Sequence, residues 1–327
     1  MPLQKRACAF EDVEDFLLLR IHAATLACTV QKTKTFFAVR YLYTTRVVIE
    51  YAPLEDELGD VLDKAMRHSG MSEHVLAERA SVSTDKILDA IDYRYDLTAD
   101  EIRRLATALE LNETGIAALA QGHYPLPAIA GLPFCLYPLR FPHGIGVANA
   151  YIVADCCRDS GVLFDTGIDY FQLKRVWPKS IKKIEAIFIT HAETEHIGGL
   201  SDLVAAEGKI PIFCPEGKCF DGAVSVGEGT RLSFGRLEVQ VLRTPGHCES
   251  HNCYVVTSPG AASAAPLLIS GDTLFAGSIG TAFFCKQRLV ANLRRLLEQM
   301  PENTVVAPGH GPLTTIKNER RFNPFVV

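Results

Sequence analysis

The sequence predicts an α/β domain over residues 135–327 behind a small all-α helical domain over residues 54–122. Three observations carry this expectation. Residues 54–122 space their apolar side chains three and four apart, the period of a helix. Residues 135–327 alternate short apolar runs with polar, Gly- or Pro-flanked turns, and helical stretches lie between the runs. Residues 123–134 carry Pro125, Pro127 and Pro133 and read as a linker.

Taken in order, residues 1–53 form an N-terminal extension to which no role is assigned. Residues 17–30 read as a short helix or strand, and residues 36–51, rich in β-branched and aromatic side chains, as a strand or two. In the helical domain Leu58, Val61, Leu62 and Met66 line a first helix. Val75, Leu76 and Ala80 line a second that Ser72 can cap, and Ile87, Leu88 and Ile91 line a third after Ser81-Val82-Ser83. Ile102, Leu105 and Leu109 line a fourth. Beyond the linker, strands are expected at 149–154, 161–167, 184–190, 237–242, 267–270 and 304–306, and helices at 169–177, 200–207 and 286–300.

One stretch demands chemistry. His191-Ala192-Glu193-Thr194-Glu195-His196 follows the apolar strand 184–190 and precedes Ile197-Gly198-Gly199. Four metal-binding side chains in the turn at a strand end cannot all be core residues, because each unpaired polar group buried there costs several kcal/mol. A metal site resolves the conflict. Further donors stand after later strands: His247 in Thr-Pro-Gly-His, Asp272 in Gly-Asp-Thr and His310 in Pro-Gly-His-Gly.

The stretch resembles the His-x-His-x-Asp-His signature of the metallo-β-lactamase superfamily, and the later donors follow in the order of that family. Their separations, 51 positions from His196 to His247, 25 to Asp272 and 38 to His310, resemble the glyoxalase II branch. The resemblance covers residues 135–327 and implies a four-layer αββα sandwich. It also implies two metal ions, one on His191, Glu193 and His247, the other on Glu195, His196 and His310, with Asp272 bridging. Such a pair holds a hydroxide, lowers its pKa and polarises the bond it attacks. The implied activity is therefore hydrolysis of an ester, thioester or lactone-type bond, with Glu195 and Asp272 as candidate catalytic carboxylates. Asp165 either holds a ligand histidine in its tautomer or shapes the Asp165-Thr166-Gly167 turn.

Two departures matter. Glu193 stands where hydrolases of the family usually carry histidine, which gives three carboxylates and four imidazoles. The added charge and harder oxygen donor favour iron or manganese over zinc. The same His-x-Glu pattern resembles the flavodiiron proteins, so the alternative is a diiron protein that binds or reduces dioxygen or nitric oxide, or oxidises a substrate. Against it, those proteins carry a flavodoxin domain after the metal domain, and here 17 residues follow His310. Glu195, one methylene longer than the usual aspartate, ligates from a shifted position. The short stretch 312–327 does not match the helical segment with which glyoxalase II grips glutathione, so glutathione thioesters are not the expected substrate. Glu249 and His251 are expected near the ligands or in solvent, whereas His22, His68, His74, His123 and His143 lie outside every motif.

The helical domain resembles a Cro-type helix-turn-helix, with residues 83–93 as the recognition helix, and a second alternative is a metal-sensing regulator. Residues 55–113 carry 15 acidic against 7 basic side chains, and the recognition helix has Asp85, Asp89 and Asp92 against Lys86. A surface of that sign is repelled by a line of phosphates, so DNA binding is not expected. A homodimer through this domain, a small-molecule substrate and a lid over the site are. A net charge of −5 and 48% hydrophobic residues point to neither nucleic acid nor membrane. The longest apolar run, residues 16–30, is interrupted by Arg20 and His22 and follows an acidic stretch, so the protein is expected in the cytoplasm, with its ten cysteines as free thiols.

Overall fold

A computed structural model describes residues 51–94, 96–217, 220–261 and 263–327. The strands and helix expected within residues 1–50 lie outside the described residues.

Among the described residues five helices come first: α1 (Leu58–Ser69), α2 (Glu73–Ala80), α3 (Thr84–Ile91), α4 (Ala99–Leu109) and α5 (Glu113–Ala120). Side chains set their starts. Ser72, Ser83 and Thr98 each accept a hydrogen bond from a backbone N–H of the first turn, and Thr98 and Glu101 cap one another reciprocally. Leu58, Val61, Leu62, Leu76, Ile87, Leu105 and Ile116 are buried together as one core. Val75 and Leu88, expected on buried faces, are instead about two-fifths exposed, because the short α2 and α3 turn only one narrow stripe inward.

The remaining chain builds two six-stranded mixed sheets. The first runs in sequence order through β1 (Cys135–His143), β2 (Gly146–Ala154), β3 (Ser160–Phe164), β4 (Lys183–Phe188), β5 (Ile212–Pro215) and β6 (Val224–Val226). The second runs from β7 (Arg231–Phe234) through β8 (Leu237–Arg243), β9 (Asn252–Thr257), β10 (Leu267–Gly271) and β11 (Val305–Pro308) to β12 (Thr314–Thr315). Phe164 and Phe188 of the first sheet share a core with Val239, Tyr254, Ile269 and Val305 of the second, so the sheets pack face to face. Helices cover the outer faces. Leu173 on α6 (Tyr170–Val176) and Leu203 on α8 (Leu200–Glu207) pack on the first sheet, and Leu289, Leu293 and Leu296 on α9 (Lys286–Gln299) pack on the second. The result is the expected αββα sandwich.

Helical segment and sandwich are held together by buried polar contacts. Lys64 on α1 bonds Asp56, Ser278 and the Ile279 carbonyl. Glu319, fully buried on α10 (Ile316–Phe322), accepts from Tyr124 Oη, the Gly277 N–H, Thr314 and Asn323. Asn112 at the start of α5 bonds the carbonyls of Arg321 and Val326.

One expectation about cysteine is corrected. Cys135 and Cys156 form a disulfide with Cα atoms 5.3 Å apart. The β1–β2 register sets Cys135 opposite Ala154, which leaves Cys156 just past the strand end and within reach. Among the described residues, no helix is long and apolar enough to cross a membrane.

Candidate metal centre

All the donor side chains singled out above sit where strands end. His191 follows β4, His247 follows β8, Asp272 follows β10 and His310 follows β11, while Glu195 and His196 lie on α7 (Thr194–Ile197), the single turn that Glu193 opens. The sandwich gathers these ends along one edge. Asn149 on β2 pins the last of them, donating from its side chain to the Pro308 and Gly311 carbonyls at 3.0 and 2.8 Å. Gly309 is required there, because a Cβ would lie 2.1 Å from Asp272 Oδ1.

Three groups of donors have ligand atoms within 4.8 Å of one another: His191, Glu193 and His247; Glu195, His196 and His310; and His191, His196 and Asp272. Asp272 stands between the first two groups. Its Oδ1 is 3.6 Å from His196 Nε2, and its Oδ2 is 3.5 Å from His310 Nε2 and 3.8 Å from His247 Nε2. Glu193 Oε1 is 3.0 Å from His247 Nε2, and Glu193 Oε2 is 3.9 Å from His191 Nε2.

The outer ring edges fix which nitrogen faces inward. Asp165 accepts from the Thr190 hydroxyl at 2.8 Å and faces His196 Nδ1 at 3.2 Å. A hydroxyl has one proton, so Thr190 Oγ1, having given it to Asp165, accepts from His191 Nδ1 at 2.9 Å. His247 Nδ1 faces the Thr281 carbonyl at 2.8 Å, which can only accept. Each of these three imidazoles therefore carries its proton at Nδ1 and turns Nε2 to the centre. Asp165 stands against the Nδ1 edge of His196, and its φ of 57° bends the Asp165-Thr166-Gly167 turn as well.

The donors suit a cation. His191 Nε2, His196 Nε2 and Asp272 Oδ1 are buried with no hydrogen-bond partner, an arrangement that costs free energy unless a positive ion answers it. Burial pushes Asp272 up, but the four surrounding histidines outweigh it and hold the carboxyl well below its ordinary range. Burial drives His191 the other way, keeping it neutral and able to donate a lone pair. No cysteine takes part in any donor group among the described residues.

His251 is buried behind the centre as a support. Its Nε2 accepts the Asp272 backbone N–H at 3.1 Å and its Nδ1 meets the Thr244 hydroxyl at 2.7 Å, and burial lowers it to about 3. Two residues outside every sequence motif also reach the site. His143, at the end of β1, has Nε2 3.6 Å from Glu195 Oε1. Glu55 lies 3.7 Å from His310 Nδ1, and burial, then Asp56 and Asp272, push it up to about 8. Neither carries a local signal, since both come from distant stretches of chain. Phe283, largely exposed, stands 5.3 Å from the His247 ring at the rim.

The family model of the metallo-beta-lactamase superfamily matches residues 143–310, half of the chain. A probable metallo-hydrolase, YqgX of Bacillus subtilis (strain 168), is 30% identical over 213 residues, 57% of this chain and 96% of that protein. The hydroxyacylglutathione hydrolase of Edwardsiella ictaluri (strain 93-146) is 30% identical over 145 residues, 44% of this chain; the match spans 52% of that enzyme. A solved metallo-beta-lactamase from Staphylococcus aureus subsp. aureus COL aligns with a TM-score of 0.50 at 19% identity, over 58% of this chain and 62% of that one, a likeness of fold. Fold, donor geometry and sequence agree: the chain belongs to the metallo-beta-lactamase superfamily.

Proposed function

We propose that the protein is a metal-dependent hydrolase acting on an ester, thioester or lactone-type bond of a small molecule. The observation that carries this reading is the convergence of seven donor side chains on two triads with Asp272 between them. His191, Glu193 and His247 would hold one ion, and Glu195, His196 and His310 the other. A bound ion pair supplies a water acidic enough to ionise near neutral pH and a Lewis acid for the scissile bond. The protein's own residues place the rest. Asp165, Thr190 and Thr281 orient three imidazoles, and Asp272 lies within reach of both triads. Phe283 beside His247 and His143 beside Glu195 offer an apolar and a polar flank for a modest acyl group.

A second reading, a diiron protein that binds or reduces a diatomic gas or oxidises a substrate, is favoured by Glu193. Its carboxylate stands against both His191 and His247, where an oxygen donor suits iron better than zinc. DNA recognition by the helical segment is not favoured, since its Lys86 is engaged with Glu101 at 3.0 Å. We place the protein in the cytoplasm, with a homodimer through the helical segment as its expected assembly.

The test is turnover of a panel of esters, thioesters and lactones by protein loaded with zinc or with iron. Hydrolysis supported by zinc is the expected result. An iron-specific charge-transfer band that bleaches on reduction, without hydrolysis by either form, would transfer the assignment to the second reading.

A further inference from the structure

Three of the four inward-facing histidines have an acceptor at Nδ1: the Thr190 hydroxyl for His191, the Asp165 carboxylate for His196 and the Thr281 carbonyl for His247. His310 is the fourth. Its Nδ1 is buried and makes no hydrogen bond, and the acceptor group facing it is Glu55, whose Oε2 is likewise buried and unbonded, 3.7 Å away.

We propose that Glu55 is a positioning residue of the metal centre, holding His310 with Nε2 turned inward, so that the segment leading into α1 contributes a group to the site. This rests on the two-ion reading above.

The ring geometry separates positioning from ligation. His310 Nε2 faces Asp272 at 3.5 Å, whereas Glu55 lies on the opposite, Nδ1 edge. The adjoining Asp56 holds the segment itself, through Lys64 and Ser278, which leaves Glu55 without that structural duty. Two glycines make the space it occupies. A Cβ on Gly146 would lie 3.0 Å from Glu55 Oε2, and one on Gly311, at φ +76°, would lie 3.2 Å from the Glu55 backbone nitrogen. Gly311 directly follows His310, so segment and ligand loop fit one another at the backbone. Carboxylates in this relation to an ion-bound histidine raise its basicity and fix its orientation.

The test is a titration of Zn(II) into chelator-stripped full-length protein against a chromogenic chelator, for wild type, Glu55→Ala and Glu55→Gln, with melting temperatures taken in parallel. Wild type is expected to take two ions. Glu55→Ala should hold one ion as wild type does and bind the other about 10- to 100-fold more weakly. Glu55→Gln keeps an acceptor oxygen at the same reach and should recover part of that loss. Should the alanine variant not fold, the glutamine variant alone decides, by a several-fold weakening at one ion. Both ions bound as tightly as in wild type, or both weakened alike with a fall in melting temperature, would overturn the proposal. A wild type that takes up no Zn(II) would overturn the two-ion reading and this inference with it.

Discussion

Asp165 lies 3.2 Å from His196 Nδ1 and, through the Thr190 hydroxyl, governs His191 as well, so one carboxylate orients a histidine of each triad. Its left-handed backbone, φ 57°, is one that asparagine also adopts readily. Asp165→Asn therefore removes the charge without straining the turn. The expected outcome is a metal affinity about 10- to 100-fold lower at both ions. Competition with a chelator checks it, and an affinity equal to wild type would show that the carboxylate is dispensable.

Gly309 gives a steric test of Asp272. With a Cβ 2.1 Å from Asp272 Oδ1 and 3.0 Å from His196 Cε1, Gly309→Ala must displace the group that stands between the triads. The variant should keep its far-ultraviolet circular dichroism and lose most of its bound metal. Full metal content by elemental analysis would contradict the placement of Asp272 at the centre.

Glu193 is the residue proposed to set the metal preference. Replacing it by histidine removes one of three carboxylates and should shift selectivity toward zinc. Competition between Zn(II) and Fe(II) for the stripped protein measures this, and an unchanged ratio would remove the reason for an iron reading.

The helical segment gives a pH test away from the metal. Backbone and side-chain hydrogen bonds from Thr98 and the Lys86 ammonium hold Glu101 down at about 2, against an ordinary value of 4.5. Because the folded value is the lower one, the charged form stabilises the fold. That contribution is full above about 4.5 and is lost as pH falls through about 2. Glu101→Gln should melt at a lower temperature than wild type near neutral pH, and the gap should close toward pH 2. A gap independent of pH would show that the capping charge does not matter.

The donors were legible because they are concentrated. His191, Glu193, Glu195 and His196 fall within six positions, and His247, Asp272 and His310 each follow an apolar run, so strand ends could be read directly from pattern. The same runs point only to an α/β domain, and the four-layer sandwich came with the family resemblance. Glu55, His143 and Asn149 were not legible, since what matters about them is a contact across the fold with no local trace. Glu55 reaches a histidine 255 positions away in the sequence. Helix α5, Glu-Thr-Gly-Ile-Ala-Ala-Leu-Ala, was missed because its small apolar residues form no distinct stripe. The Cys135–Cys156 pairing depends on strand register, which cysteine spacing does not reveal.

The most direct measurement is the number of ions held by each chain after equilibration with Zn(II) or Fe(II) and removal of excess, for wild type and for His196→Ala and His247→Ala. Two ions are expected in the wild type, and a loss at the corresponding triad in each variant. No bound ion in the wild type, or two ions retained in both variants, would contradict it.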